Sequence, residues 1–72
     1  MIALKLNSDI FSLEKINYTK KVYSGYADIT IENVEGYWHL SFENCKYDEA
    51  LTVREFENYL IGMENSYWGG WR

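Results

Sequence analysis

One stretch of the sequence alternates between apolar and polar residues twice, with a turn between the two runs, and it limits the folds open to the chain. The stretch is YADITIENVEGYWHLSFENC, with NVEG as the turn. The positions expected to face inward are Ala27, Ile29 and Ile31, then Trp38, Leu40 and Phe42. A period of two is typical of half-buried strands, and a short connection containing glycine predicts that the two strands form a hairpin.

The segment before the hairpin predicts a strand followed by a helix. IALKLN alternates in the same way, with its apolar residues on one face. Ser12 is placed to cap the N-terminus of a helix, and Gly25 fits a helix stop or a turn. The predicted inner face of this helix follows helical spacing through Leu13, Ile16, Lys20 and Tyr23.

The segment after the hairpin predicts a second helix. Thr52 and Glu55 match a capping box, and Leu51 and Phe56 stand at the positions of a hydrophobic staple, so the helix is predicted to start at Thr52. Its expected buried stripe is Val53, Phe56, Leu60 and Met63. Gly62 inside this stripe indicates either close packing or an early helix end.

The order β-α-β-β-α predicts an α+β domain. Since each strand has one apolar face and each helix one apolar stripe, we expect two layers, a three-stranded mixed sheet with both helices on one face. A right-handed crossover would make the first two strands parallel, which strand orders 1-3-2 and 1-2-3 both satisfy. The chain length predicts a single domain over residues 1–72, with a folded body at 1–64 and an aromatic C-terminal tail at 65–72.

Cysteine usage and charge narrow the classes of function. Cys45 is the single cysteine, so no internal disulfide can form, and one histidine with one cysteine does not supply a zinc site. We therefore predict no metal or cofactor. A cytoplasmic location is expected, with no signal peptide and no membrane association, because no apolar run approaches the roughly 20 residues of a membrane span.

The net charge of −4 is concentrated in the second half of the chain. Between residues 28 and 64, nine acidic side chains face only Lys46 and Arg54. Binding to a nucleic-acid backbone requires Lys and Arg, so nucleic acid is not predicted as a partner. A basic protein or peptide suits this charge better.

Two residues, His39 and Cys45, are of the types that commonly act in catalysis. His39, on the outward face of the third strand, is either a general base or pH switch, or an ordinary surface histidine, which is the commoner case. Cys45 lies between the acids Glu43 and Asp48, which disfavour a reactive thiolate. We predict no catalytic residue and no enzyme activity.

The predicted partner-binding residues fall into two groups. Tyr26, Tyr37 and His39 are expected on the open face of the sheet, either as a peptide or protein surface or as an ordinary amphipathic sheet face. In the tail YWGGWR, Trp68 and Trp71 either fold back onto the core or anchor a partner together with Arg72. Folding back is favoured for Trp68, and both alternatives stay open for Trp71.

The chain resembles the small HxsD-like proteins of the His-Xaa-Ser systems. The similar residues are DIFSLEKI at the first helix, EFENYLI in the second, and the strand pair between them, which together cover about Leu4 to Met63. The resemblance implies an accessory factor encoded beside a radical-SAM maturase and a short precursor peptide. After the second helix the family often carries further polar, arginine-containing sequence, whereas this chain has GMENSYWGGWR.

Two functional hypotheses follow. The first is a non-catalytic accessory protein that binds a radical-SAM peptide-modifying enzyme, its precursor peptide, or both, and accepts a peptide strand at an exposed sheet edge. The alternative is a small acidic inhibitor of a nucleic-acid-binding enzyme that acts by charge mimicry, with a phage as one source of such a protein. The same edges leave room for a homodimer.

Overall fold

Five regular elements make up the part of the chain that the structure describes. The computed structural model covers the backbone of residues 2–66 and the side chains of residues 2–63. The elements are β1 (Ile2–Asn7), α1 (Leu13–Val22), β2 (Asp28–Val34), β3 (Tyr37–Glu43) and α2 (Glu49–Ser66). The predicted order and the α+β class are confirmed, and α2 extends two residues into the predicted tail.

The three strands form one sheet in the order β1-β3-β2. β3 pairs antiparallel with both neighbours, and Leu40 at its centre lies opposite Leu4 on one side and Ile31 on the other. Of the two strand orders left open, 1-3-2 is the observed one. The prediction of a mixed sheet is wrong in its pairing: β1 and β2 do run parallel, but β3 separates them, so every hydrogen-bonded pair is antiparallel.

One face of the sheet and both helices share a single core. The core includes Leu40 and Phe42 of β3, Ile16 of α1, and Phe56 and Leu60 of α2, none of which has exposed surface. The rings of Phe42 and Phe56 meet edge to face with their centroids 5.2 Å apart. The side chains on the opposite face of the sheet are half-buried or exposed.

Helix α1 begins as predicted, but its buried stripe is displaced. The Ser12 hydroxyl accepts a hydrogen bond from the Lys15 backbone N–H at 3.3 Å, which confirms the N-cap. Ile16 and Thr19 are fully buried, whereas Leu13 at the start of the expected stripe is exposed. Thr19 is accommodated in the core because its hydroxyl donates to the Lys15 carbonyl at 2.9 Å.

Helix α2 begins earlier than predicted. The Asp48 carboxylate accepts a hydrogen bond from the Leu51 N–H at 2.9 Å, so Asp48 caps the helix three residues before that N–H. The Thr52 hydroxyl donates back to the Asp48 carbonyl at 2.8 Å. The predicted capping box at Thr52 and Glu55 is therefore wrong, because Thr52 already lies in the first helical turn.

Gly36 in the hairpin turn has a positive φ, whereas Gly62 lies in the helix α2. Glu35 and Gly36, with φ of 51° and 83°, form the two-residue loop between β2 and β3, which corresponds to a type I′ turn. Ser8 donates its hydroxyl to the Gly36 carbonyl at 2.7 Å. Gly62 lies within α2, and no described atom beyond its helix neighbours comes within 4 Å of a Cβ built there. Neither sequence explanation for Gly62 holds within the described residues, since the helix continues past it and none of their atoms packs closely against it.

We expect Gly62→Ala and Gly36→Ala to change stability in opposite directions. Alanine at position 62 should raise the free energy of unfolding by about 1 kcal/mol, because glycine is a poor helix former. Alanine at position 36 should lower it by about 1 kcal/mol, because the left-handed backbone there disfavours a Cβ. Urea denaturation followed by circular dichroism measures both, and a loss of stability in Gly62→Ala would contradict the open surroundings.

Candidate functional site

A concave groove lies where the end of α1, the turn before β2, the loop after β3 and α2 as far as Tyr59 meet. Its volume is about 340 Å³. It is lined by Val22, Tyr23, Tyr26, Tyr47, Leu51, Thr52, Glu55 and Tyr59. We call it the tyrosine groove.

Tyr23 connects the two helices in the groove. It is the C-cap of α1, and its N–H donates to the Thr19 carbonyl at 3.0 Å. Its hydroxyl donates to the Glu55 backbone carbonyl of α2 at 3.1 Å. Its ring centroid lies 5.6 Å from that of Phe56 and 5.9 Å from that of Tyr59, both edge to face. Tyr23 is therefore held at its backbone, its ring and its hydroxyl.

Tyr26 and Tyr47 extend the same line of rings toward solvent. The Tyr26 N–H donates to the Tyr23 carbonyl at 2.9 Å, and the Tyr26 carbonyl accepts from the Lys46 N–H at 2.7 Å. The Tyr26 ring centroid lies 5.8 Å from that of Tyr23 and 5.9 Å from that of Tyr47. The backbone bonds fix Tyr26 between α1 and the loop that leads to α2.

The placement of Tyr26 corrects the sequence prediction. The sequence predicts Tyr26 on the open sheet face with Tyr37 and His39, because the apolar–polar alternation extends back to residue 26. The strand β2 begins at Asp28 instead, and the chain from Tyr23 to Ala27 forms a turn in which the N–H of Ala27 donates to the Tyr23 carbonyl at 3.2 Å. The turn directs Tyr26 to the helical side.

The groove gathers much of the exposed apolar surface of the described residues. Tyr47 is 60% exposed, and Val22, Tyr26, Leu51 and Tyr59 are each exposed by about two fifths. Single exposed apolar residues are normal on a protein surface, whereas several that adjoin in a concave site indicate a binding site. This concentration is the main reason to assign function to the groove.

The electrostatics of the groove are set by one carboxylate and by neighbouring phenols. Burial raises the pKa of Tyr23 above 10.0, and the negative charge of Glu55 and the neighbouring Tyr59 and Tyr26 raise it further. The pKa of Tyr59 is also raised, by burial and then by the nearby Tyr18. Of the side chains described, those of residues 2–63, Glu55 is the one charged group that lines the groove. Within the described side chains its carboxylate forms no hydrogen bond or ion pair.

The open face holds the other predicted residues that the structure describes. Tyr37 and His39 lie on β3, as predicted, and the Lys5 amine sits 4.4 Å from the centroid of the Tyr37 ring. His39 lies opposite Lys5 on one side and Glu32 on the other. The structure therefore divides the predicted site into the open face, with Tyr37 and His39, and the tyrosine groove, with Tyr26. Trp68, Trp71 and Arg72 lie outside the described residues.

The potential catalytic groups are separated. His39 belongs to the open face, whereas Cys45 packs in part against the core on the helical side. In the described part of the chain, no three His, Cys, Asp or Glu side chains are grouped so that they could hold a metal ion.

Sequence reasoning missed most of the groove. The sequence predicts Tyr23 in the inner face of the first helix and Glu55 in a capping box, and it predicts no binding role for Tyr47 or Tyr59. One sequence feature points toward the groove: Tyr23 and Tyr26 stand on either side of Gly25 at the end of the predicted first helix. That signal alone does not say which part of the chain lies opposite them.

Comparison of the chain with protein-family models, with curated proteins and with solved structures gives no match. No helix within residues 2–66 combines the length and apolar character needed to cross a bilayer. Function must therefore be inferred from the chemistry of the groove and of the open face.

We expect the raised pKa of Tyr23 to make stability fall at high pH. Below pH 10 both folded and unfolded forms keep the phenol neutral, so its contribution is intact. Above pH 10 the unfolded state loses its proton first, so the free energy of unfolding decreases with rising pH up to the higher folded pKa. Urea titrations between pH 8 and 11 should show a shallower decline in Tyr23→Phe than in the unmodified protein.

Tyr37→Phe is the matched control for this titration, since it removes a phenol from the open face. It should leave the decline close to that of the unmodified protein. An equally steep decline in Tyr23→Phe would mean that folding does not raise the pKa of Tyr23.

Proposed function

We propose that this protein is a non-catalytic accessory protein of a radical-SAM peptide-modifying enzyme. It binds the enzyme, the precursor peptide, or both, and the tyrosine groove is the site of contact. Such a protein would act in the cytoplasm beside its enzyme, with the enzyme carrying the iron–sulfur clusters and S-adenosylmethionine. The observation that carries the binding role is the set of exposed tyrosines fixed around one concave site.

The construction of the groove supports a binding role. A recognition surface is most effective when its side chains are already ordered before the partner arrives, because less entropy is lost on binding. Tyr23 and Tyr26 are ordered by backbone and ring contacts from separate elements. Tyrosine suits protein and peptide recognition because its rigid ring offers a large contact area and its hydroxyl can form hydrogen bonds.

The resemblance to HxsD-like proteins supplies the biological setting of the proposal. The groove supports peptide or protein binding independently, because this support comes from its geometry and does not depend on the resemblance. The separation of His39 from Cys45 favours a binding protein over a thiol-dependent enzyme.

Affinity purification of the tagged full chain from its native host tests the proposal. We expect a radical-SAM enzyme or a short peptide to be recovered with the unmodified protein and with Tyr37→Ala. Recovery should fall by about fivefold with Tyr47→Ala, since truncation of an aromatic hot-spot residue costs more than about 1 kcal/mol. Tyr47 is the best groove position to change because it is 60% exposed, so its removal should leave the fold intact.

Each contrary outcome has a distinct meaning. Equal recovery of the enzyme by Tyr47→Ala and the unmodified protein would place the contact outside the groove. Recovery of no enzyme or peptide of this class would overturn the accessory role. Circular dichroism of both variants ensures that a lost partner does not reflect a lost fold.

One feature of the open face favours the alternative, an acidic inhibitor of a nucleic-acid-binding enzyme. Asp28 and Glu43 lie directly opposite each other on β2 and β3, and both are exposed. Like charges in this relation repel, so a basic partner would relieve the repulsion. Recovery of a nuclease in the same purification, and loss of that capture with Asp28→Asn or with added DNA, would favour this function.

A further inference from the structure

We propose that the tyrosine groove takes an arginine side chain from a peptide segment of a partner, with the guanidinium paired to Glu55 and stacked on the tyrosine rings. This inference rests on the proposed binding function and specifies its ligand. It concerns the groove alone and does not require that the partner be a maturase.

The charge in the groove determines the sign of the ligand. Among the residues that the structure describes, Glu55 is the one charged residue in a lining that otherwise consists of tyrosines, Leu51, Val22 and Thr52. Its carboxylate has no cationic partner among the described side chains. A ligand that covered the groove without a positive charge would remove water from this carboxylate with no compensation, which is unfavourable. The lining is therefore complementary to an apolar segment that carries one cation.

The ring geometry favours arginine over lysine. Tyr59, Tyr23, Tyr26 and Tyr47 follow one another with centroids 5.8 to 5.9 Å apart. These four rings line the same groove as Glu55. A planar guanidinium can stack on a ring and donate two parallel hydrogen bonds to a carboxylate at the same time. A lysine ammonium is compact and strongly hydrated, so it gains less from the rings.

The apolar part of the groove suits the residues beside the arginine. Val22 and Leu51 are both exposed by about two fifths and lie on the two helices that flank the tyrosines. Leucine or a similar residue next to the arginine would cover them. The volume of about 340 Å³ fits a few side chains of an extended segment, which indicates recognition of a short motif.

The test uses the full chain and three synthetic peptides of sequence acetyl-Gly-Ser-Leu-Xaa-Leu-Ser-Gly-amide, with arginine, lysine or citrulline at Xaa. Citrulline has nearly the shape of arginine but no charge. NMR titration of the ¹⁵N-labelled protein yields the affinity and the location of each peptide. We expect shifts around the groove and an affinity about tenfold higher for the arginine peptide than for the citrulline peptide, with lysine between them.

Glu55→Gln should lower the affinity for the arginine peptide to that for the citrulline peptide and leave the latter unchanged. Glu57→Gln makes the same change of charge on α2 at a residue outside the groove lining, so it should leave all three affinities as they are. Equal binding of the arginine and citrulline peptides, or equal effects of the two glutamine variants, would overturn the arginine site.

Two other occupants give recognisable results that would also overturn the proposal. If the chain's own Arg72 occupied the groove, the arginine peptide would bind only to the Arg72→Gln variant. That result would assign the groove to the C-terminal segment of the chain. A homodimer that Glu55→Gln dissociates, measured by analytical ultracentrifugation, would assign it to a second copy. If no peptide binds while the enzyme is still captured through Tyr47, the accessory function stands and the arginine site alone fails.

Discussion

The edge-to-face contact between Phe42 of β3 and Phe56 of α2 joins the sheet to the helices, and the position of the groove depends on it. Both rings are fully buried, and Tyr23 packs on Phe56 in turn. Tyr26 and Tyr47 continue the line to the surface. Each aromatic pair contributes about 0.5–1.5 kcal/mol beyond its burial, which matters in a domain of marginal size. The contacts that stabilise the fold thus also order the groove.

Local signals in the sequence were sufficient for most of the secondary structure. The N-cap of α1 is a local signal, because the Ser12 hydroxyl bonds the N–H of Lys15, three residues later. The hairpin is also a local signal, because it consists of two alternating runs around a turn that contains Gly36. The start of α2 was wrong for a reason of the same kind. Two local patterns offered a cap, at Asp48 and at Thr52. Asp48 accepts the hydrogen bond from the Leu51 N–H, so Thr52 lies inside the helix and is not its cap.

The groove could not be predicted because its residues come from segments that only the tertiary structure brings together. Tyr23 and Glu55 are joined by a hydrogen bond across 32 positions of the chain. The predicted side of the sheet for Tyr26 depends on the residue at which β2 begins. Because β2 begins at Asp28 and not at Tyr26, Tyr26 lies on the opposite side from the predicted one. Tyr37 and His39 were placed correctly because they lie well inside a strand, where alternation is a reliable guide.

The two candidate surfaces differ in how far their polar groups are already paired within the chain. On the open face Lys5 lies over Tyr37 and opposite His39, so a partner would have to replace contacts that exist. In the groove, Glu55 is exposed and solvated, which costs the free protein little. A complex would remove that water and leave the carboxylate in need of a cation. In the proposed arginine site, Glu55 would discriminate against purely apolar partners, and a guanidinium could replace the lost water while it stacks on the tyrosine rings of the same lining.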